Sequence, residues 1–187
     1  MNDILKLDNV SAVAPYKTVS STVTRGSTTS SKARIIATND SYLDVTNTAL
    51  AQGRTMSIID IENKSKVCIL GSEIATTLFS LADPIGEKIK INGDNYTVIG
   101  ILEEQGTSMG TDVDSMILVP LTTAKYLGED TSVNNLYIKV EDESNINFTI
   151  KLIENYIRTT LQISSDYYSV SSQDAMLDTM EDVSNTL

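Results

Sequence analysis

Apolar positions divide the chain into short strands separated by polar turns, with few stretches long enough for a helix. Ile4, Leu5 and Leu7 predict a short helix over 2–9. Val10 to Val23 is rich in β-branched residues, and Pro15 suits an edge strand or a strand start. The polar stretch Gly26–Ser31 turns the chain and Ala33–Ala37 returns, so 16–37 reads as a hairpin. Asn39-Asp40-Ser41 then precedes a brief helix near Tyr42–Val45. Lys66–Leu70 is an apolar run closed by Gly71, the pattern of a buried strand. Ser72 is expected to cap the helix that follows, with Glu73 in its first turn and Ile74, Leu78 and Phe79 on its buried face up to about Ser80. Asp83-Pro84-Ile85-Gly86 has the residue preferences of a type I turn with Pro84 second.

Asn92-Gly93 separates the alternating segments Ile89–Ile91 and Tyr96–Val98, and predicts a tight hairpin because both residues tolerate positive φ. Residues 103–113 are polar with two Gly and read as a mobile loop. Ser115–Leu121 is an apolar strand, Thr122–Leu127 a short helix ended by Gly128, and Asn135–Val140 an alternating strand. Ile146, Ile150, Ile153, Ile157 and Leu161 form one stripe of a long helix beginning near Ser144. Asp166–Ser171 reads as a last strand. Ser171 and Asp174 suggest a capping box that starts a helix from about 173, whose apolar seam is Met176, Met180, Val183 and Leu187. Texture shifts near 52 and near 115–130, which suggests a β-rich insert between two flanking pieces.

Composition narrows the function. The chain has 187 residues, 41% hydrophobic and 21% charged, which is ordinary for a globular domain. Its 14 basic and 25 acidic residues give a net charge of −11. That balance disfavours nucleic acid and anionic membrane surfaces as partners. There is no His, which removes His-based catalysis and His metal sites. The single Cys allows no disulfide within the chain. No stretch approaches the roughly 20 apolar residues of a membrane helix, and the Met1-Asn2-Asp3 start lacks the basic region of a signal peptide. The expectation is a soluble acidic domain or a piece of something larger.

Candidate chemistry is sparse. Asp112 and Asp114 form a D-x-D that could ligate a hard cation or stand in a solvated loop. Glu103-Glu104 and Glu141-Asp142-Glu143 are carboxylate clusters, readable as an acid/base pair or as solvated strand ends and a helix start. Cys68 lies in an apolar strand and reads as a buried structural thiol rather than a reactive one. Gly106-x-x-x-Gly110 lacks the Lys-Ser/Thr of a phosphate loop and suits a hinge. Arg54 is either functional or paired with a nearby acid. Asn9, Asn39 and Asn63 each open an Asn-x-Ser/Thr triplet, as chance provides in so polar a chain. No catalytic constellation emerges.

One ordered set of motifs goes further: Gly53-Arg54, Asp60, Lys66–Gly71, Leu78-Phe79, Asp83-Pro84-Ile85-Gly86, Ile89-x-Ile91-Asn92-Gly93, Tyr96–Leu102, Asp114 and Val119–Ala124. It resembles the extracytoplasmic (periplasmic core) domain of MacB-type ABC transporter permeases, relatives of the FtsX-like permeases. The resemblance is strong over 53–124 and looser at Val10–Pro15 and Asp166–Ser172. Cys68 stands where the family has Val or Ala, and Ser80 where Gly is usual.

The resemblance implies an α+β fold of two subdomains. A porter-like α/β subdomain would be built from 1–52 plus 125–187, and an inserted, β-rich Sabre-like subdomain from 53–124. It places the domain outside the cell membrane, between the first and second membrane helices of a homodimeric permease served by a cytoplasmic ABC ATPase and, in some members, a membrane-fusion adaptor. The implied role is non-catalytic mechanotransmission during export of an antibiotic, peptide, toxin or lipoprotein, with no catalytic, cofactor or metal residue. The terminal helix would be a stalk starting near helix 2–9, both leading to the same membrane. Two other functions compete. One is a module that captures a peptide or lipid directly, which an apolar cleft with a polar rim would favour; the other is a carboxylate hydrolase.

Overall fold

The computed structural model describes residues 3–108, 111–130, 132, 133 and 135–175. Its strands are β1 (Val10–Val19), β2 (Val23–Arg25), β3 (Thr28–Ser30), β4 (Arg34–Thr38), β5 (Leu50–Gly53), β6 (Val67–Leu70), β7 (Lys88–Ile91), β8 (Asp94–Leu102), β9 (Thr107–Ser108), β10 (Thr111–Asp112), β11 (Met116–Pro120) and β12 (Asn135–Val140). The α-helices are α1 (Tyr42–Val45), α2 (Ile58–Glu62), α3 (Ser72–Phe79) and α4 (Ile146–Thr159). One mixed sheet runs in the order β12-β1-β4-β11-β6-β8-β7-β2-β3, with β5 also on β8, and β9 and β10 pair apart from it. The β4–β11 and β6–β8 pairs are parallel. The mixed α/β class agrees with the fold expected from the sequence.

The chain divides into two compact units, Ala14–Tyr137 and the combination of Met1–Val13 with Ile138–Leu187. In the first, both faces of the central strands are covered. Ile35, Ala37, Cys68, Leu70, Ile117 and Val119 join one core with α3 and the 3-10 helix Leu121–Leu127. Their alternates Ile36, Val67, Ile69, Met116 and Leu118 join a second core with Tyr16, Tyr42, Leu43 and Met56. That two-sided burial explains why β6 and β11 read as continuous apolar runs rather than alternating ones.

The hairpin expected over 16–37 exists as the antiparallel β1–β4 pair, with Lys17 opposite Ala37 and Val19 opposite Ile35. The stretch between is not a simple turn. β2 and β3 make their own hairpin, and β2 also pairs with β7, setting fully buried Val23 opposite fully buried Ile91. The Asn92-Gly93 hairpin forms as expected, with φ of 52° and 84° at its turn and Ile91 opposite Asp94.

Several local expectations are corrected. Gly71, not Ser72, caps α3, because the first-turn N–H groups of Glu73 and Ile74 are taken by the main-chain oxygen of Asp114. The turn near Pro84 is displaced by one residue: Glu87 N–H reaches the Pro84 carbonyl, Gly86 takes φ of 82°, and the Asp83 carboxylate accepts the Ile85 N–H. That is a type II pattern, since Gly supplies the positive φ in its third position. Within 103–113, β9 and β10 form a short antiparallel pair rather than a plain loop. The helix at 121–127 is 3-10 and ends at left-handed Gly128.

In the other unit, Ile4–Lys6 is a single 3-10 turn. α4 buries Thr149 and Ile153 but stops at Thr159, so Leu161 lies beyond it and is exposed. The strand expected at 166–171 is instead a 3-10 turn, Ser165–Tyr167, and an irregular tail. Tyr168 there donates its hydroxyl to the Glu154 carbonyl on α4, a tie made by a side chain and not by a strand partner. Residues 173–175 are helical, and Ser172, not Ser171, receives the Ala175 N–H. The seam at Met176, Met180, Val183 and Leu187 lies outside the described residues.

Candidate functional site

The candidate residues from the sequence do not converge on one place. Most are engaged with structural partners, and those partners explain why those residue types stand there.

Arg54 follows Gly53, whose φ of 86° turns the chain out of β5 so tightly that a Cβ would meet the Ile99 carbonyl at 2.2 Å. The guanidinium of Arg54 then grips the Asp60 carboxylate. Asp60, 7% exposed, also accepts the N–H and hydroxyl of Ser57, and Ser57 in turn accepts the Asp60 N–H, completing a capping box for α2. The Arg54 bonds, working against burial and helped by Ser57, pull the Asp60 carboxyl down to about 2. Of the two readings of Arg54, the pairing with a nearby acid is the one realised.

The D-x-D carboxylates serve backbone amides. Asp112 accepts the Asp114 N–H at 3.1 Å, and Asp114 accepts those of Gln105 and Gly106 at 3.0 and 2.8 Å. Among the described residues no three His, Cys, Asp or Glu side chains are grouped to hold a metal ion. Glu103 and Glu104 are exposed. In Glu141-Asp142-Glu143, Asp142 accepts the Ser144 N–H and hydroxyl and the Asn145 side-chain amide, opening the 3-10 turn before α4. Cys68 is fully buried, and burial alone pushes its thiol far above the usual range, which keeps it protonated and unreactive. Gly106 has φ of 66° at the base of the β9–β10 hairpin; Gly110 lies outside the described residues.

The Asn-x-Ser/Thr residues are structural where their contacts are defined. Asn9, at φ of 67°, pairs its side-chain amide with the main chain of Asp142, donating to its carbonyl at 2.9 Å and accepting its N–H at 2.8 Å. The same Nδ2 reaches the Thr149 hydroxyl of α4, and the Glu141 N–H bonds the Asn9 carbonyl. Asn39 accepts the Ser41 N–H, and Asn63 ends α2.

Three groupings escaped the sequence reading. Tyr16, Tyr42 and Tyr137 pack with ring centroids 5.4–6.4 Å apart. Burial, reinforced by the other two phenols, raises the Tyr42 hydroxyl far above its usual range. Lys17 of β1 clamps Asp130 after the 3-10 helix, and that bond, with others from Ser132, lowers the Asp130 carboxyl to about 2. The Asn9–Asp142 pairing is the third. The partners lie 26 to 133 positions apart in the chain, and only the chemistry of each residue type, not any spacing, hinted at them. An open depression lies beside Leu43, Asp44, Thr48, Ala49, Leu50 and Thr55.

No helix among the described residues is long and apolar enough to cross a membrane. A sequence profile described as the MacB-like periplasmic core domain matches residues 1–156. The macrolide export ATP-binding/permease protein MacB of Syntrophobacter fumaroxidans is 33% identical over 141 residues, covering 75% of this chain and 20% of that protein. The protein of the same description from Azoarcus is 28% identical over 186 residues, covering 98% and 28%. The chain thus spans under a third of the length of these relatives. The crystal structure of the periplasmic region of MacB from Actinobacillus actinomycetemcomitans aligns with a TM-score of 0.82 at 19% identity, covering 96% of this chain and 80% of that one. The extracellular domain of the noncanonic ABC-type transporter YknZ from Gram-positive bacteria aligns at 0.77 and 22% identity, covering 91% and 86%.

Proposed function

Because the chain belongs to the MacB-like periplasmic core domain family, we propose that it is the non-catalytic extracytoplasmic domain of a MacB-type ABC transporter permease. Its part in that assembly is to pass motion driven by a cytoplasmic ATPase to the outer side, where substrate is extruded. The observation that carries this reading is that the described segments 3–13 and 138–175 belong to one compact unit. Asn9 there pairs with Asp142, and the Tyr156 hydroxyl reaches the Asp3 carboxylate at 3.5 Å. A domain held between two membrane helices needs its entrance and exit segments near one another, and a unit that joins 3–13 to 138–175 agrees with that.

The engagement of Arg54, Asp60, Asp112, Asp114 and Asp142 with backbone or a structural partner supports the non-catalytic part. The 53–124 stretch is read as the inserted, β-rich subdomain, and 1–52 with 125–187 as the porter-like one. In the intact protein the partners would be a second copy, an ABC ATPase subunit or domain and, at the outer face, a membrane-fusion adaptor. Relatives are described as exporters of macrolides, so an antibiotic is the first cargo to test, ahead of a peptide, toxin or lipoprotein. Direct capture of a peptide or lipid is a second reading, and the open depression beside Leu43 and Leu50 offers it little enclosure.

The test is transport by the full-length permease with this domain replaced by a short flexible linker. The reading expects export to be lost while ATP hydrolysis by the cytoplasmic part persists. Undiminished export without the domain would refute it.

A further inference from the structure

Asp114 joins β10 to β11 and is bonded through both main chain and side chain. Its carbonyl oxygen accepts the N–H groups of Glu73 at 3.1 Å and Ile74 at 3.4 Å, in the first turn of α3. Gly71 makes that approach possible, since a Cβ there would lie 2.3 Å from the same oxygen. The Asp114 carboxylate meanwhile accepts Gln105 N–H on one oxygen and Gly106 N–H on the other. Those two amides open the stem of the β9–β10 hairpin. The stem is closed by the Val113 N–H to the Gly106 carbonyl at 2.9 Å and by the pairing of Thr107 with Asp112 and Ser108 with Thr111. Residues 103–107 are all exposed, so no apolar side chain from that side anchors the stem. The carboxylate bonds hold its base.

We propose that Asp114 is a latch: its ionised carboxylate fastens the β9–β10 stem to the junction of α3 and β11, and loss of that charge lets the stem detach as a unit while α3 and the sheet stay closed. The two ends of the residue do separate work. Protonation removes the acceptor strength of the carboxylate but leaves the carbonyl on α3 untouched. The Ser72 hydroxyl of α3 also bonds the carboxylate. The neighbouring charges act on other groups: the Asp112 carboxylate accepts the Asp114 N–H, and Lys32, paired with Glu73 at 2.8 Å, feels Asp112. Burial raises the Asp114 carboxyl, but the bonds from Gln105, Gly106 and Ser72 outweigh it and hold it below the usual carboxylate range. Release therefore belongs to acid conditions.

Amide hydrogen exchange in the full chain, corrected for intrinsic rates, tests the latch. In the unaltered protein, protection at Gln105, Gly106 and Val113 should fall together as pH drops below the carboxylate range, while Ile117 and Leu118 of β11 stay protected. In Asp114→Asn, the same three amides should exchange at least roughly tenfold faster at neutral pH, with no further pH dependence and β11 unchanged. Protection of Gln105 and Gly106 that ignores pH, or that survives in Asp114→Asn, overturns the proposal. So does loss of protection in β11 at the same pH. Should the variant fail to fold, the pH series on the unaltered chain decides alone.

Discussion

Arg54 holds Asp60 through two parallel hydrogen bonds, Nη1 to Oδ2 at 2.7 Å and Nη2 to Oδ1 at 3.2 Å. This fork also fixes the start of α2, because the same carboxylate receives the Ser57 N–H at 2.9 Å. Asp60→Asn should destabilise the domain by roughly 1–3 kcal/mol, since it leaves polar groups around a 7% exposed position without their charged acceptor. A denaturant midpoint unchanged from that of the unaltered chain would contradict this.

The same pair sets a pH dependence. The Asp60 carboxyl is lowered to about 2 when folded, against about 3.9 when unfolded. A depressed carboxyl contributes stability that is complete above the unfolded value and is lost as pH falls through the folded one. Asp60 thus accounts for roughly 1–2 kcal/mol lost between about pH 4 and pH 2. Thermal melts over that window should show a steeper decline for the unaltered chain than for Asp60→Asn.

Ser80 ends α3 at φ of 55° and ψ of −109°, a conformation in which a Cβ is strained and Gly is at ease. Glycine relieves that strain at a smaller cost in unfolded-state entropy. Ser80→Gly should therefore stabilise by roughly 0.5–1 kcal/mol. That corresponds to a rise of a few degrees in Tm; a lower Tm would show that the turn tolerates Ser without cost.

Gly71 and Gly93 should respond differently to substitution. At Gly71 a Cβ collides with the carbonyls of Asp114 and Val113, at 2.3 and 2.6 Å, so Gly71→Ala must push β11 from α3 and should cost roughly 2 kcal/mol or more. At Gly93 no atom lies within 4 Å of a Cβ and only the φ of 84° resists. Gly93→Val should cost about 1 kcal/mol or more through backbone strain, and Gly93→Asn much less. Paired urea titrations separate the two mechanisms; equal losses for Gly71→Ala and Gly93→Asn would refute the distinction.

What could be read from the sequence follows from how local each cause is. The Asn92-Gly93 hairpin was legible because the turn chemistry lies in two adjacent residues. The β6 and β11 runs were legible because two-sided burial leaves no polar alternates. The cap of α3 was not, since Ser72 has the better intrinsic preference and is displaced only because Asp114, more than forty positions on, brings a carbonyl to the first turn. The strand expected at 166–171 failed because alternation without a partner strand does not fix extended structure; Tyr167 is left exposed there. Of the candidate residues, Arg54 could be matched to an acid from composition alone, but Asn9 gave no sign of the pairing with Asp142. That pairing is long-range, and its only local mark is an Asn able to adopt positive φ.

Asn9→Ala removes both bonds to the Asp142 main chain and leaves an Ala at φ of 67°. It should loosen the unit made of the two chain ends, raising exchange at Asp142 and in α4, while the β6 and β11 amides keep their protection. Uniform change across both units would contradict the division of the chain.

The central claim is that this domain stands outside the cytoplasmic membrane as part of a permease. The direct measurement is thiol labelling of the full-length protein in intact spheroplasts with a membrane-impermeant maleimide, using Leu81→Cys. Leu81 is fully exposed, Cys68 is buried at 0% exposure, and the unaltered full-length protein labelled in parallel gives the background. The account predicts complete labelling in intact spheroplasts, with no increase after the membrane is permeabilised. Labelling that appears only after permeabilisation would place the domain in the cytoplasm and contradict it.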